Sequence, residues 1–174
     1  HSDQSKQWQT AKTTETGGQL FGWGGQIADS LRVMNGPAVY PSITSVTGAH
    51  LYCDGKLTQP STVDPRTKNG LYGFYGTVSS QARFDAMQAL ARTRSQNPLV
   101  NASADASARM FDELSVLNNA YASHPGVRTA FPGTSSRSQS LRVAELIQAR
   151  HSFGLSRQRF FVSLCGFDSH SSQL

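Results

Sequence analysis

The sequence predicts an α/β fold in which helices pack on a mostly parallel sheet. Four stretches, at 26–34, 80–95, 103–122 and 138–150, carry apolar residues at three- and four-residue spacing, which is typical of amphipathic helices. A mostly apolar run at 159–166 follows the last helix after a short turn. Because this run is aromatic and β-branched with little alternation, it indicates a strand buried on both faces by helices.

The first part of the chain predicts two helices joined by a glycine-rich turn. Ser2 or Asp3 is a suitable N-cap for a short first helix, with Trp8 as its inward anchor. The segment Gly22-Trp23-Gly24-Gly25 lacks the lysine of a phosphate loop and the spacing of a dinucleotide fingerprint, so its glycines indicate tight turning and close helix packing. In the next helix, the apolar face is predicted to be Ile27, Leu31 and Met34.

The middle of the chain predicts short strands at 42–46 and 50–53, followed by an irregular region at 56–76 that is rich in Pro, Thr, Gly and Tyr. The Asn97-Pro98 pair is expected to break the helix at 80–95. The last helix is expected to point Leu141, Ala144 and Ile147 inward.

Composition predicts one globular domain over residues 1–174. The net charge is +5, but the arginines are scattered and form no run, so a nucleic-acid partner is not predicted. No stretch approaches the ~20 apolar residues of a membrane span. Cys53 and Cys165 have neither zinc-ribbon spacing nor the density of a disulfide scaffold, and we expect two separate buried thiols, although a bridge stays open.

The most informative residues are Asp168 and His170, just beyond the last predicted strand. Ligands of open α/β sheets gather beyond the carboxyl ends of strands, and two residues at i and i+2 of an extended segment point the same way. A carboxylate beside an imidazole is a usual pair of metal ligands or an acid and base. The competing interpretation makes Asp168 or Ser169 the N-cap of a following helix, with His170 exposed.

The remaining histidines are weaker candidates. His1, beside Ser2 and Asp3, is either a further metal ligand or an exposed terminal residue. His50, His124 and His151 are interpreted as structural, because they fall in a predicted strand or at predicted helix ends.

Three segments of the chain form a recognisable pattern. They are His1-Ser2-Asp3-Gln4 with Trp8-Gln9-Thr10, the run Gly-Trp-Gly-Gly-Gln-Ile-Ala-Asp at 22–29, and the stretch from Val143-Ala144-Glu145-Leu146-Ile147 to the closing Gly166-Phe167-Asp168-Ser169-His170. Together they resemble one bacterial family, the domain of unknown function 1501. The closing segment is the most specific match. Cys165 and Ser169 depart from the family pattern, where Gly and Thr are usual.

This resemblance implies an alkaline-phosphatase-like α/β/α fold, related to phosphatases and sulfatases, in proteins that are typically exported and often carry a twin-arginine signal. It also implies a longer parent, cut at both ends, since two further family segments would follow His170. Asp168, His170 and His1 would then be ligands of a divalent ion such as zinc, manganese or calcium.

The expected function is that of an exported, metal-dependent hydrolase-like protein acting on phosphate or sulfate esters, whether small molecules or polymers. The piece itself is expected to be inactive, because an ion site generally needs at least three protein ligands and this chain shows two good ones, Asp168 and His170. The alternative is a non-catalytic secreted or envelope protein that uses the hydrolase fold for binding. A truncated or degenerate gene product is a third interpretation.

Overall fold

The computed structural model describes residues 2–12, 20–66, 77–124, 126–134 and 136–164. They form a mixed α/β structure with one small parallel sheet, which confirms the predicted fold class at that level. The helices are α1 (Ser2–Thr10), α2 (Trp23–Ser30), α3 (Arg32–Asn35), α4 (Val78–Ala91), α5 (Pro98–Ser123) and α6 (Arg137–Gln148), with a 3₁₀ turn at Leu51–Cys53. The strands are β1 (Ile43–Ser45), β2 (Ser61–Thr62) and β3 (Arg159–Phe161).

The sheet has the strand order β2-β1-β3, and both pairings are parallel. Thr44 of β1 lies opposite Ser61 on one side and opposite Phe160 on the other. The chain therefore leaves β1 for β2 on one side and returns through α4, α5 and α6 to β3 on the opposite side. All three carboxyl ends consequently lie along one edge of the sheet.

Hydrophobic clusters cover β1 from both sides. Ile43 packs with Ala28 and Cys53, whereas Val46, three residues further on, packs with residues of α5 and α6. Successive residues of a strand point to opposite faces, so these two clusters lie on opposite faces of the sheet. The larger cluster consists of Tyr40, Val46, Val63, Leu117, Ala120, Leu146, Ala149 and Phe153.

The N-terminal end of α2 approaches the backbone of the 3₁₀ turn closely. The Gly22 amide donates to the Asp54 carbonyl at 2.8 Å. A Cβ atom on Gly25 would overlap the backbone of Asp54 and Gly55, and one on Gly24 would overlap the ring of Tyr52. The interpretation of these glycines as a close-packing device is therefore confirmed.

The predicted apolar face of α2 is wrong. Ile27 is 40% exposed and Met34 is 55% exposed, and the buried residues of α2 are Gly24, Gly25 and Ala28. Small side chains lie inward because the helix packs against backbone, where larger ones do not fit. The helix also ends at Ser30, and α3 begins separately at Arg32.

Two elements of the middle region differ from the prediction. Residues 51–53 form a 3₁₀ turn, in which the Cys53 amide donates to the His50 carbonyl at 2.9 Å, and not a strand. Strand β2 lies inside the segment that was predicted to be irregular. It is only two residues long and depends on β1 for its pairing, so it has little local pattern to reveal it.

The Asn97-Pro98 pair begins a helix instead of ending one. Helix α4 already ends at Ala91, and the side chain of Asn97 accepts a hydrogen bond from the Leu99 amide at 2.9 Å as the N-cap of α5. Proline is well suited to the first turn of a helix, because its missing amide proton has no helical partner there.

The buried face of α6 carries charge. Arg142, Glu145 and Leu146 are buried, whereas Ile147 is 46% exposed, so the predicted inward face is wrong by about one position. Strand β3 is only half-buried, with Phe160 packed against the larger cluster and Phe161 against the cluster of Ile43. Trp8 is 58% exposed, and it stacks on Tyr52 with 5.9 Å between ring centroids instead of entering the core.

Asp29 of α2 holds the loop that follows the 3₁₀ turn. Its carboxylate accepts backbone hydrogen bonds from Lys56 at 2.7 Å, Leu57 at 3.1 Å and Thr58 at 2.6 Å. Burial alone would raise the pKa of Asp29, but the hydrogen bonds from the Thr58 side chain and from these amides outweigh it and lower the pKa.

No helix in the described ranges is long and apolar enough to cross a bilayer.

Substituting Gly25 by alanine is expected to lower the free energy of unfolding by about 2 kcal/mol or more, because the new methyl group overlaps backbone that cannot turn aside. Urea unfolding measures the change. Gly133→Ala is the matched control, since a Cβ there meets nothing within 4 Å, and it should change stability by less than about 0.5 kcal/mol. Equal losses in both variants would contradict the close packing of α2.

Asp29→Asn is expected to lower the free energy of unfolding at pH 7 by about 1–3 kcal/mol, because an amide cannot accept all of these hydrogen bonds. The folded-state pKa of Asp29 is lowered, so its contribution is present above the unfolded pKa near 4 and is lost as pH falls through the folded pKa. The difference in free energy of unfolding between wild type and Asp29→Asn should therefore become smaller in acid. A difference that stays constant from pH 7 to pH 2 would refute this role.

Candidate functional site

The predicted site residues Asp168, His170 and His1 lie outside the described residues, as do Cys165 and Ser169. The strand that precedes Asp168 and His170 is β3, which ends at Phe161. The described residues continue after it as far as Leu164. Within the described ranges, no group of three or more His, Cys, Asp or Glu side chains is placed to hold a metal ion.

An open cleft of about 570 Å³ lies at the carboxyl edge of the sheet. It is lined by the residues that follow β1, namely Val46, Thr47 and Gly48, by residues 62–66 at the end of β2, and by Gln139 of α6. Because the strand order reverses around β1, this is the position at which open α/β sheets form their ligand crevice.

The polar groups of the cleft come chiefly from the segment after β2. Asp64 and Arg66 are both exposed, and the Asp64 carboxylate accepts a hydrogen bond from the Arg66 backbone amide at 2.7 Å. This turn presents a carboxylate and a guanidinium group on the same wall. A guanidinium fork matches the oxygens of phosphate and sulfate groups, and a carboxylate matches cations.

Gln139 fixes the backbone where it leaves β3. Its side-chain amide donates to the Ser163 carbonyl at 3.0 Å, and its side-chain oxygen accepts from the Ser163 amide at 3.1 Å. Both backbone groups of Ser163 are therefore paired as they would be by a neighbouring strand. This contact with α6 holds the backbone of Ser163 in place.

Asn35 forms the same kind of pair before β3. It donates to the Arg157 carbonyl at 3.0 Å and accepts from the Arg157 amide at 2.8 Å. The two amide side chains hold β3 at both ends, and the Arg159 amide adds a backbone bond to Ser42 at 2.8 Å.

A buried arginine of α6 forms an ion pair on its own helix and also contacts the other side of the cleft. Arg142 donates to Glu145 at 2.7 Å, and the two side chains are only 4% and 10% exposed. Arg142 also donates to the Pro65 carbonyl at 3.4 Å, and its guanidinium lies 5.2 Å from the ring centre of Tyr121. Helix α6 thus contacts both the chain after β2 and the chain after β3.

The described histidines agree with a structural role. The His50 ring packs on Phe161 at 4.5 Å between centroids and bonds the Thr47 hydroxyl at 3.0 Å. Nδ1 of His124 lies 2.8 Å from the Ala120 carbonyl at the end of α5. His151 is exposed in the turn after α6.

Sequence reasoning missed Gln139, Arg142 and Asp64. An Arg-Glu pair three residues apart is usually a solvated surface pair, and only burial distinguishes this one. An amide side chain that bonds distant backbone leaves no local pattern. Asp64 stands beside Pro65 in a polar segment, where a turn-forming Asp is the ordinary explanation.

Comparison of the chain with protein-family models, with curated proteins and with solved structures found no match.

Replacing Gln139 by methionine is expected to lower the free energy of unfolding by about 1–3 kcal/mol, because it removes two hydrogen bonds to a half-buried backbone unit. The amide of Ser163 should also lose protection from hydrogen exchange, which NMR measures residue by residue. Gln148→Met on the same helix is the control. Retained protection at Ser163 in Gln139→Met would show that the contact is dispensable.

Proposed function

We propose that this chain is part of an exported, metal-dependent hydrolase-like protein whose ion site lies beyond the carboxyl end of β3, with Asp168 and His170 as ligands. The observation that carries the proposal is that β3, the strand before Asp168 and His170, ends at the same edge of the parallel sheet as the cleft. The resemblance to the domain of unknown function 1501 family supports the same assignment, with His1 as a third ligand and an alkaline-phosphatase-like fold.

The donor set fits a divalent cation. An imidazole and a carboxylate suit zinc or manganese, whereas calcium prefers oxygen ligands alone. Such an ion, when bound, polarises a phosphate or sulfate ester and stabilises negative charge that develops on its oxygens.

The described residues of the cleft have matching roles in this proposal. Arg66 would bind the anionic part of an ester through its guanidinium group. Gln139, by holding Ser163, would orient the segment that carries the ligands. Arg142 and Glu145 would keep α6 at a fixed distance from the end of β2. The substrate class would be phosphate or sulfate esters, either small molecules or polymers.

Metal content of the full-length natural protein, purified without chelators, tests the proposal. Elemental analysis is expected to find zinc, manganese or calcium in a fixed ratio to protein, and Asp168→Ala/His170→Ala should lose it, because two ligands are removed. Loss of the ion should also abolish hydrolysis of any phosphate or sulfate ester on which the natural protein acts.

Asp85→Ala/His151→Ala removes the same two side-chain types from exposed positions and should keep the metal. A folded natural protein without metal, whose melting temperature does not rise with added zinc, manganese or calcium, would overturn the hydrolase proposal. That result would favour the alternative, a non-catalytic secreted or envelope binding protein.

A further inference from the structure

We propose that a second pocket, between α5 and β2, binds a small organic cation, namely a primary amine that carries an apolar group. This inference does not depend on the metal site. It rests on a cavity whose walls are apolar and whose charged groups are two carboxylates against one guanidinium.

The pocket has a volume of about 340 Å³. Tyr40, Met110, Leu114 and Leu117 form much of its apolar wall, and Tyr40 and Leu117 are almost fully buried. A cavity of this size, apolar with few polar groups, is typical of a site for a small organic molecule. It shares residues 62–64 with the cleft at the carboxyl edge, so the two sites are adjacent.

Glu113 supplies the central polar group of this pocket. It lines the pocket from α5, and its carboxylate accepts a hydrogen bond from the hydroxyl of Ser61, a buried residue of β2. Within the described part of the chain, Glu113 forms no ion pair. Burial raises its pKa to about 7, against the lowering effects of Ser61 and of the charge on Arg109.

The other charged and titratable groups around Glu113 are few. Arg109 lies one turn earlier on α5 and is exposed, Asp64 lines the pocket from the segment after β2, and Tyr40 faces it from the segment before β1. Burial raises the pKa of Tyr40 to about 12, so its phenol is neutral at physiological pH. The pocket therefore has a negative balance when Glu113 is ionised.

An ammonium group suits this environment better than an anion or a neutral group. A half-buried carboxylate that forms no ion pair is costly, and a cation placed directly beside it offsets that cost. A ligand carboxylate would meet Glu113 and Asp64 in a site of low dielectric, where repulsion is strong. The apolar wall contributes affinity for a hydrocarbon or aromatic substituent on the amine.

Benzylamine, benzyl alcohol and benzoate share one ring and differ only in the charge of the attached group, so they are suitable probes. Titration calorimetry on this chain at pH 8 is expected to show benzylamine binding at least about tenfold more tightly than the other two. Glu113→Gln should lower the affinity for benzylamine by at least about tenfold, because the amide carries no charge. Asp112→Asn, a neighbouring exposed position on α5, should leave the affinity unchanged within about twofold.

The pH profile of the unmodified chain gives an independent readout that does not need a variant to fold. Since the pKa of Glu113 is about 7, the affinity for benzylamine should rise about tenfold between pH 6 and pH 8, as the carboxylate becomes available. The inference is overturned if benzylamine does not bind, if benzoate or benzyl alcohol binds as tightly, or if neither the pH nor Glu113→Gln changes the affinity.

Discussion

Side chains that pair with distant backbone hold this sheet together. Strands of two or three residues form few ladder bonds with one another, and a free-standing pairing of that length is not stable. Side chains of helices supply further hydrogen bonds. Asn35 and Gln139 bond the backbone before and after β3, and Asp29 accepts hydrogen bonds from three amides of the loop that leads toward β2. Each such bond contributes about 1 kcal/mol, so together they rival the ladder itself.

These contacts also decide where chemistry can take place. Helix α6 bonds the chain after β3 through Gln139 and the chain after β2 through Arg142, so one helix contacts both segments beside the cleft. The Arg142–Glu145 pair is buried, and removal of either partner is expected to destabilise the fold. The cleft and the Glu113 pocket share residues 62–64 as a common wall, so a ligand in one lies next to the other.

Local sequence patterns predicted the elements better than the faces they bury. Strand β1, most of β3 and the long helices follow from runs and periodicity, and the glycines at 22–25 predicted a close approach of backbones. The predictions of the inward faces of α2 and α6 were wrong. Hydrophobicity alone favours Ile27 and Ile147, but glycine and alanine occupy the inward face of α2, and an Arg-Glu ion pair lies on that of α6. The predicted ligands Asp168, His170 and His1 lie outside the described residues and stay a prediction, whereas the edge they were assigned to is present.

Residue-resolved hydrogen exchange on the wild-type chain and on an Asn35→Leu/Gln139→Leu double variant tests most directly whether side-chain pairing holds the sheet. The amides of Arg159 and Val46 bond across to Ser42 and Phe161 and so report on the β1–β3 pairing. Loss of the Asn35 and Gln139 hydrogen bonds is expected to speed the exchange of these two amides by about 10- to 100-fold, while amides in the middle of α5 keep their protection. Unchanged exchange at Arg159 and Val46 would mean that the strands hold each other without the helices, which would contradict this explanation of the fold.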